Sequence, residues 1–193
     1  MSAYSLALFL HLLSMLLATV ATALAGFAAF RLRDSENPRE AAGWGMLIGK
    51  VVRAFPVATI GLVATGAYMT QKEWSWSSGW IIAGLAGLAL IVVCGAGIEG
   101  SRGRALKREL QTAGLSARAQ QLMRDPLSWS AKVTTWTLTL AVVFVMSTKP
   151  SGAGAAAALA VAVGLGVAGA VLFWRRPLPR ERTAALSVER AEA

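Results

Sequence analysis

Residues 4–30 run for 27 positions without one Asp, Glu, Lys or Arg. A hydrocarbon layer is crossed by about 20 apolar residues at ~1.5 Å rise each, so this stretch is long enough to span one as a helix. Its faces are unequal. Leu6, Leu10, Leu13, Leu17, Val20, Leu24 and Phe27 recur at three-four spacing and suit contact with lipid. One position along run Ala7, His11, Ser14, Ala18, Ala21 and Ala25, a small or polar stripe of the kind that packs against neighbouring helices. His11, the only histidine of the chain, stands on that stripe.

Four further uncharged stretches, 54–71, 74–98, 133–148 and 151–174, approach spanning length in a chain that is 55% hydrophobic with mean hydropathy +0.55. The sequence therefore predicts an all-α membrane protein, a bundle of four transmembrane helices plus a fifth C-terminal one. The spans fall at about 4–30, 56–71, 79–98, 127–148 and 152–174, leaving no room for a soluble catalytic module. The net charge of +9 would suit nucleic acid, but its distribution argues for a membrane instead. Residues 31–53, 102–132 and 175–190 carry five, seven and five Lys and Arg, and the two intervening loops carry only Lys72 and Lys149. This asymmetry of seventeen against two predicts basic loops on the cytoplasmic side, an outside N-terminus and an inside C-terminus. It also predicts anionic lipid as a partner at the cytoplasmic face and excludes nucleic acid. The first eight residues carry no Lys or Arg, and Arg31 and Arg33 form a stop-transfer pattern, so the first stretch reads as a retained span. A lone Cys94 inside the third span can make no intrachain disulfide.

Between the spans, Asn37, Pro38 and Glu40 read as a capped helix start, with Glu40 reaching back to the cap. A helix from there to Gln71 is too long for one crossing, and Pro56 offers the break. Residues 38–55 are thus expected as an interfacial helix with Trp44 at headgroup level and Lys50 and Arg53 reaching outward. Trp74, Trp76 and Trp80 read as an interfacial aromatic belt. Residues 99–125 are expected as a cytoplasmic basic loop holding two short helices, the first ended by Gly114 and the second capped by Ser116. Its Leu106, Leu110, Leu115, Leu122 and Met123 would rest on membrane or bundle. Two G-x-G-x-x-G runs, at 95–100 and 164–169, follow no strand and read as products of glycine content. Ser128, Lys132, Thr135, Thr139 and Met146 give the fourth span a polar side whose hydroxyls are expected to bond backbone. In the fifth, Ala156, Ala160, Gly164 and Ala168 form a ladder for close helix approach, within the bundle or in a homo-oligomer. Phe173 and Trp174 would anchor it ahead of a polar cytoplasmic tail, 175–193.

Together, a leucine-flanked His11 in span one, a proline opening span two, Thr65-Gly66-Ala67-Tyr68 at its far end and Met146-Ser147-Thr148-Lys149-Pro150 closing span four carry a resemblance. The chain, over residues 4–150, resembles the bacterial integral membrane family known as domain of unknown function 2269. That family is similar in architecture to the membrane domain of CopD-type copper-resistance proteins. The resemblance implies a four-helix membrane core in a bacterial plasma membrane and implies no chemistry. With one histidine, the chain departs from proteins that hold haem between paired histidines of one chain.

Two functions stand as expectations. No H-E-x-x-H, nucleophile elbow or P-loop occurs, and no span core contains Asp or Glu, which points to a non-enzymatic scaffold or accessory membrane protein without a cofactor. The alternative is handling of a small solute or of copper near His11, with Met15 and Met146 (and Met69 nearby) as thioether donors, since imidazole and thioether suit Cu(I). The structural contacts expected are His11 with Thr65 or Tyr68, because an imidazole in hydrocarbon needs a hydrogen-bond partner, and Glu99 with Lys132 near the cytoplasmic boundary.

Overall fold

A computed structural model describes residues 2–174 of the chain. The expected tail, 175–193, and the side chains of Phe173 and Trp174 lie outside the described residues. Among those residues the fold is all α, with no strand, and five helices are long and apolar enough to cross a membrane. Helix α1 (Ala3–Arg33) opens with Ser2, whose hydroxyl accepts from the Ser5 amide at 3.1 Å. Helix α2 (Pro38–Val51) starts where Asn37 and Pro38 predict, the Asn37 side chain accepting from the Arg39 amide at 2.9 Å. Glu40 does not reach back to that cap. It instead meets Arg31 at 3.4 Å and accepts from Trp44 Nε1 at 3.2 Å.

The expected helix over 38–55 is shorter than its predicted bounds. It ends at Val51, and α3 (Ala54–Glu73) begins after a two-residue turn, placing Pro56 in the first turn of α3. A proline has no N–H to bond the carbonyl four residues earlier, so the ladder fails ahead of the ring rather than at it. Helix α4 (Gly79–Val92) does not end near residue 98 either. It continues through one π-helical stretch, Val93–Glu99, into α5 (Gly100–Thr112), a single rod of 34 residues. Gly114, at φ +62°, ends α5, and Ser116 caps α6 (Ala117–Met123) by accepting from the Ala119 amide at 3.1 Å. Asp125 caps α7 (Pro126–Thr148), and after a left-handed Lys149 the chain turns into α8 (Gly152–Trp174).

The five long helices pack in two groups. α1 and α3 pair along the small stripe of α1: Ala7, Ala21 and Ala58 are buried, and a Cβ on Gly61 would collide with Ser14. α4, α7 and α8 form the other group around Ala83, Leu138, Ala141, Val145, Ala155, Leu159 and Ala162. The fifth span is thus integral, lying along α7 and against α4. Glycine sets these distances: a Cβ on Gly84 would meet Met146, one on Gly87 would meet Val142, and one on Gly166 would sit 2.5 Å from the Thr134 Cα. The groups meet near the basic end of the bundle, where Gly26 receives the Trp136 ring and the Arg33 guanidinium lies over Trp129 at 5.5 Å. Toward the other end α1 touches only α3: Leu8, Leu12 and Leu16 are exposed, as are all seven residues of the Leu6-to-Phe27 lipid stripe.

The expected basic loop is a folded cap. Leu32, Ala41 and Met123 form a second core joined by Trp44, Ile48, Leu106, Leu110 and Leu115. α2 therefore turns its apolar side toward α1, α5 and α6, and Trp129 Nε1 ties the cap to α7 by donating to the Met123 carbonyl at 2.9 Å. The glycine seams give a test. Gly166→Ala forces a backbone shift on α7 and should cost about 1–3 kcal/mol, seen as a lower melting temperature in detergent. Gly164→Ala, with nothing within 4 Å of the added methyl, should melt at or slightly above wild type.

Candidate functional site

The helix pair α1–α3 and the π-helical stretch of the α4–α5 rod each hold a polar group that a bilayer would otherwise reject. On α1, His11 lies two turns in from the helix start, and Gly66 on α3 makes room for its ring: a Cβ there would stand 3.3 Å from His11 Cε1. The ring meets Thr65, Nδ1 to Oγ1 at 2.9 Å. Thr65 also donates to the Gly61 carbonyl at 2.5 Å. Of the two partners the sequence offers, Thr65 is the one engaged. Tyr68, just under a turn further on, is 37% exposed on the outside of the pair.

The copper donors expected with His11 are not brought together. Met146 packs on Gly84, in the seam between α4 and α7, and neither helix reaches His11. Equal depth along the bundle had grouped these residues, but α1 at that depth has only α3 beside it. Met15 remains one turn from His11 on α1, and Met69 lies on α3. Among the described residues no three His, Cys, Asp or Glu side chains stand together as a metal site.

Glu99 closes the π-helical stretch and forms an ion pair with Lys132 of α7, with the Thr135 Oγ1 3.4 Å from the other carboxylate oxygen. The side chains are only 21% and 15% exposed. A π turn widens the helix and rotates the residues beyond it, and here it lies over the glycine-rich run 95–100. The G-x-G-x-x-G pattern thus marks a place where the helix can widen without side-chain crowding. One turn on, Arg102 pairs with Asp125, the cap of α7, so the rod is fastened to α7 by two successive ion pairs. The remaining hydroxyls of α7 serve backbone: Thr135 donates to Ala131, Thr139 to Thr135, and Thr137 to Ala162 of α8 at 2.7 Å.

At the opposite end stands a contact that the sequence did not foretell. Lys149, at φ +47°, holds its ammonium 4.0 Å from the Trp74 ring centroid and 5.7 Å from that of Trp80, the two rings meeting edge to face. This clamp joins the α3–α4 loop to the α7–α8 turn, where the Gly79 and Gly152 backbones nearly touch. The tryptophan cluster was a usable signal, since a lysine ends the only other loop at that side. No family model matches the chain, and no curated protein or solved structure does.

Two measurements separate these contacts by strength. Glu99→Gln and Lys132→Gln each strand a largely enclosed charge and should each cost about 3 kcal/mol, while the double variant loses markedly less than the sum, as unfolding in detergent would read. His11→Leu should cost only about 0.6 kcal/mol, because the Thr65 hydroxyl keeps its bond to Gly61 and nothing is orphaned.

Proposed function

We propose that the chain is a multi-pass protein of a bacterial plasma membrane, with its N-terminus outside and C-terminus in the cytoplasm, acting as a non-enzymatic scaffold or accessory subunit. The observation that carries this reading is where its intramembrane polar groups are directed. The Glu99 carboxylate, the Lys132 ammonium and the hydroxyls of α7 are each engaged in holding one helix to another or to itself. The side assignment rests on the asymmetry of seventeen basic residues against two. The basic cap offers Arg104, Lys107 and Arg108 on the exposed side of α5, which suits anionic lipid headgroups. The punctuation shared with domain of unknown function 2269 supports a bacterial membrane setting.

Homo-oligomerisation belongs to the same proposal. Ala156, Ala160, Gly164 and Ala168 all lie on the exposed side of α8, opposite the buried Ala155, Leu159, Ala162 and Ala170, so the ladder is free for a helix of a second copy. A second functional reading, handling of a soft metal, rests on His11 with Met15 of α1 and Met69 of α3, now that Met146 stands elsewhere.

Orientation is tested by labelling. In a Cys94→Ala background, cysteines placed at Ser77 and Gly152 should react with an impermeant thiol reagent in intact cells, and one at Ser101 should react only after the membrane is opened. Labelling at Ser101 alone would reverse the topology. The ladder is tested by Gly164→Leu, which should leave melting unchanged and reduce the oligomer fraction in mild detergent to monomer.

A further inference from the structure

The His11 imidazole spends one of its two nitrogens on the fold and leaves the other for something else. Thr65 has a single hydroxyl proton, and its 2.5 Å bond to the Gly61 carbonyl uses that proton. The contact between Thr65 Oγ1 and His11 Nδ1 therefore runs the other way, with Nδ1 as donor. A neutral imidazole with its proton on Nδ1 carries its lone pair on Nε2.

Nδ1 and Cε1 are the ring atoms nearest Gly66, at 3.7 and 3.3 Å from a Cβ placed there, and Nε2 lies beyond 4 Å. Nε2 has no hydrogen bond among the described residues, and it is not one of the polar atoms sealed off from the surface. Leu8 and Leu12, at nearby positions of α1, are exposed and apolar. Thr65 fixes the tautomer and orientation while Gly66 leaves the room, the same division of labour by which outer-shell partners aim a liganding histidine. The helix pair does not need a histidine for this: Ala7, Ala21, Ala58 and the Ser14–Gly61 approach already close the seam.

We propose that His11 Nε2 is the hydrogen-bond acceptor of a binding site for a membrane-dissolved molecule that carries a hydroxyl on an apolar body, a hydroquinone or a hydroxyl-bearing glyceride. An acceptor left without a protein donor in an apolar span is satisfied by a donor that itself partitions into the bilayer. A soft metal fits less well, since Met146 is committed to the α4–α7 seam and no three His, Cys, Asp or Glu side chains stand together among the described residues. The site stands whether or not the chain serves as an accessory subunit.

The chain's single histidine makes the test unambiguous. Full-length protein labelled with nitrogen-15 histidine, in lipid nanodiscs, gives two ring resonances that belong to one residue. Without ligand, Nδ1 should be the protonated nitrogen. Decylhydroquinone should then move the Nε2 resonance saturably and leave Nδ1 nearly in place, while decylbenzoquinone, which has no hydroxyl to donate, should move neither. Dioctanoylglycerol distinguishes the two sources: a matching displacement assigns the site to hydroxyl amphiphiles in general, and its absence assigns it to hydroquinones. Thr65→Val should weaken the effect up to about tenfold, the worth of one orienting hydrogen bond, and Thr65→Ser should restore it. A proton on Nε2 in the free protein, an unmoved Nε2 at saturating probe, an equal response to the quinone, or displacement by Cu(I) alone would each overturn the site.

Discussion

A peptide group inside hydrocarbon can satisfy its N–H and C=O only along its own helix, and the way this chain meets that demand decides its other features. Wherever the ladder is interrupted, the interruption stands toward the basic end or at a helix terminus. The break before α3 has Arg53 in it, and the π-helical stretch ends at Glu99. Within the long helices, side-chain hydroxyls bond carbonyls of the preceding turn, so polarity is absorbed locally. With the backbone so provided for, lateral association falls to close packing. That is why glycines sit at nearly every place where one long helix meets another.

The spans were legible because length without charge is a direct measure of what a bilayer accepts. The α1–α3 seam was legible too: a small stripe at helical spacing on residues 7–25 foretold which face of α1 is covered. Glu99 and Lys132 could be paired from sequence because two opposite charges near one boundary have few other partners. What stayed hidden depends on rotation about helix axes. Met146 and His11 share a depth, but depth does not say which neighbour a side chain faces. Glycines 95, 97 and 100 beside Glu99 resemble a helix end, and only the geometry reveals one rod continuing through a widened turn. The aliphatic residues of 106–123 gave no hint by themselves that they would meet Trp44 and Ile48 from a segment sixty residues earlier.

The basic cap changes how its end of the bundle is built. Arg33 is enclosed against Trp129, and the Trp129 indole is in turn tied to α6. Two consecutive elements distant from α1 in sequence, α6 and α7, thereby fix its basic end. Two ion pairs do the same for the α4–α5 rod against α7. Charge at this end is therefore structural as well as topogenic, since some of the residues that weight the loops also fasten the helices.

The meeting of the two helix groups at Gly26 and Trp136 has a mechanical reading. His11 lies fifteen residues from Gly26 along α1, a lever arm of roughly 22 Å at ~1.5 Å per residue. A tilt of α1 by about 5° at that fulcrum would move the imidazole by about 2 Å along α3, whose own far end is held by the Trp74–Lys149 contact. The indole wedged at the crossing thus sets the angle of α1. Small repacking around Trp136 is magnified into a change in how His11 is presented to the membrane.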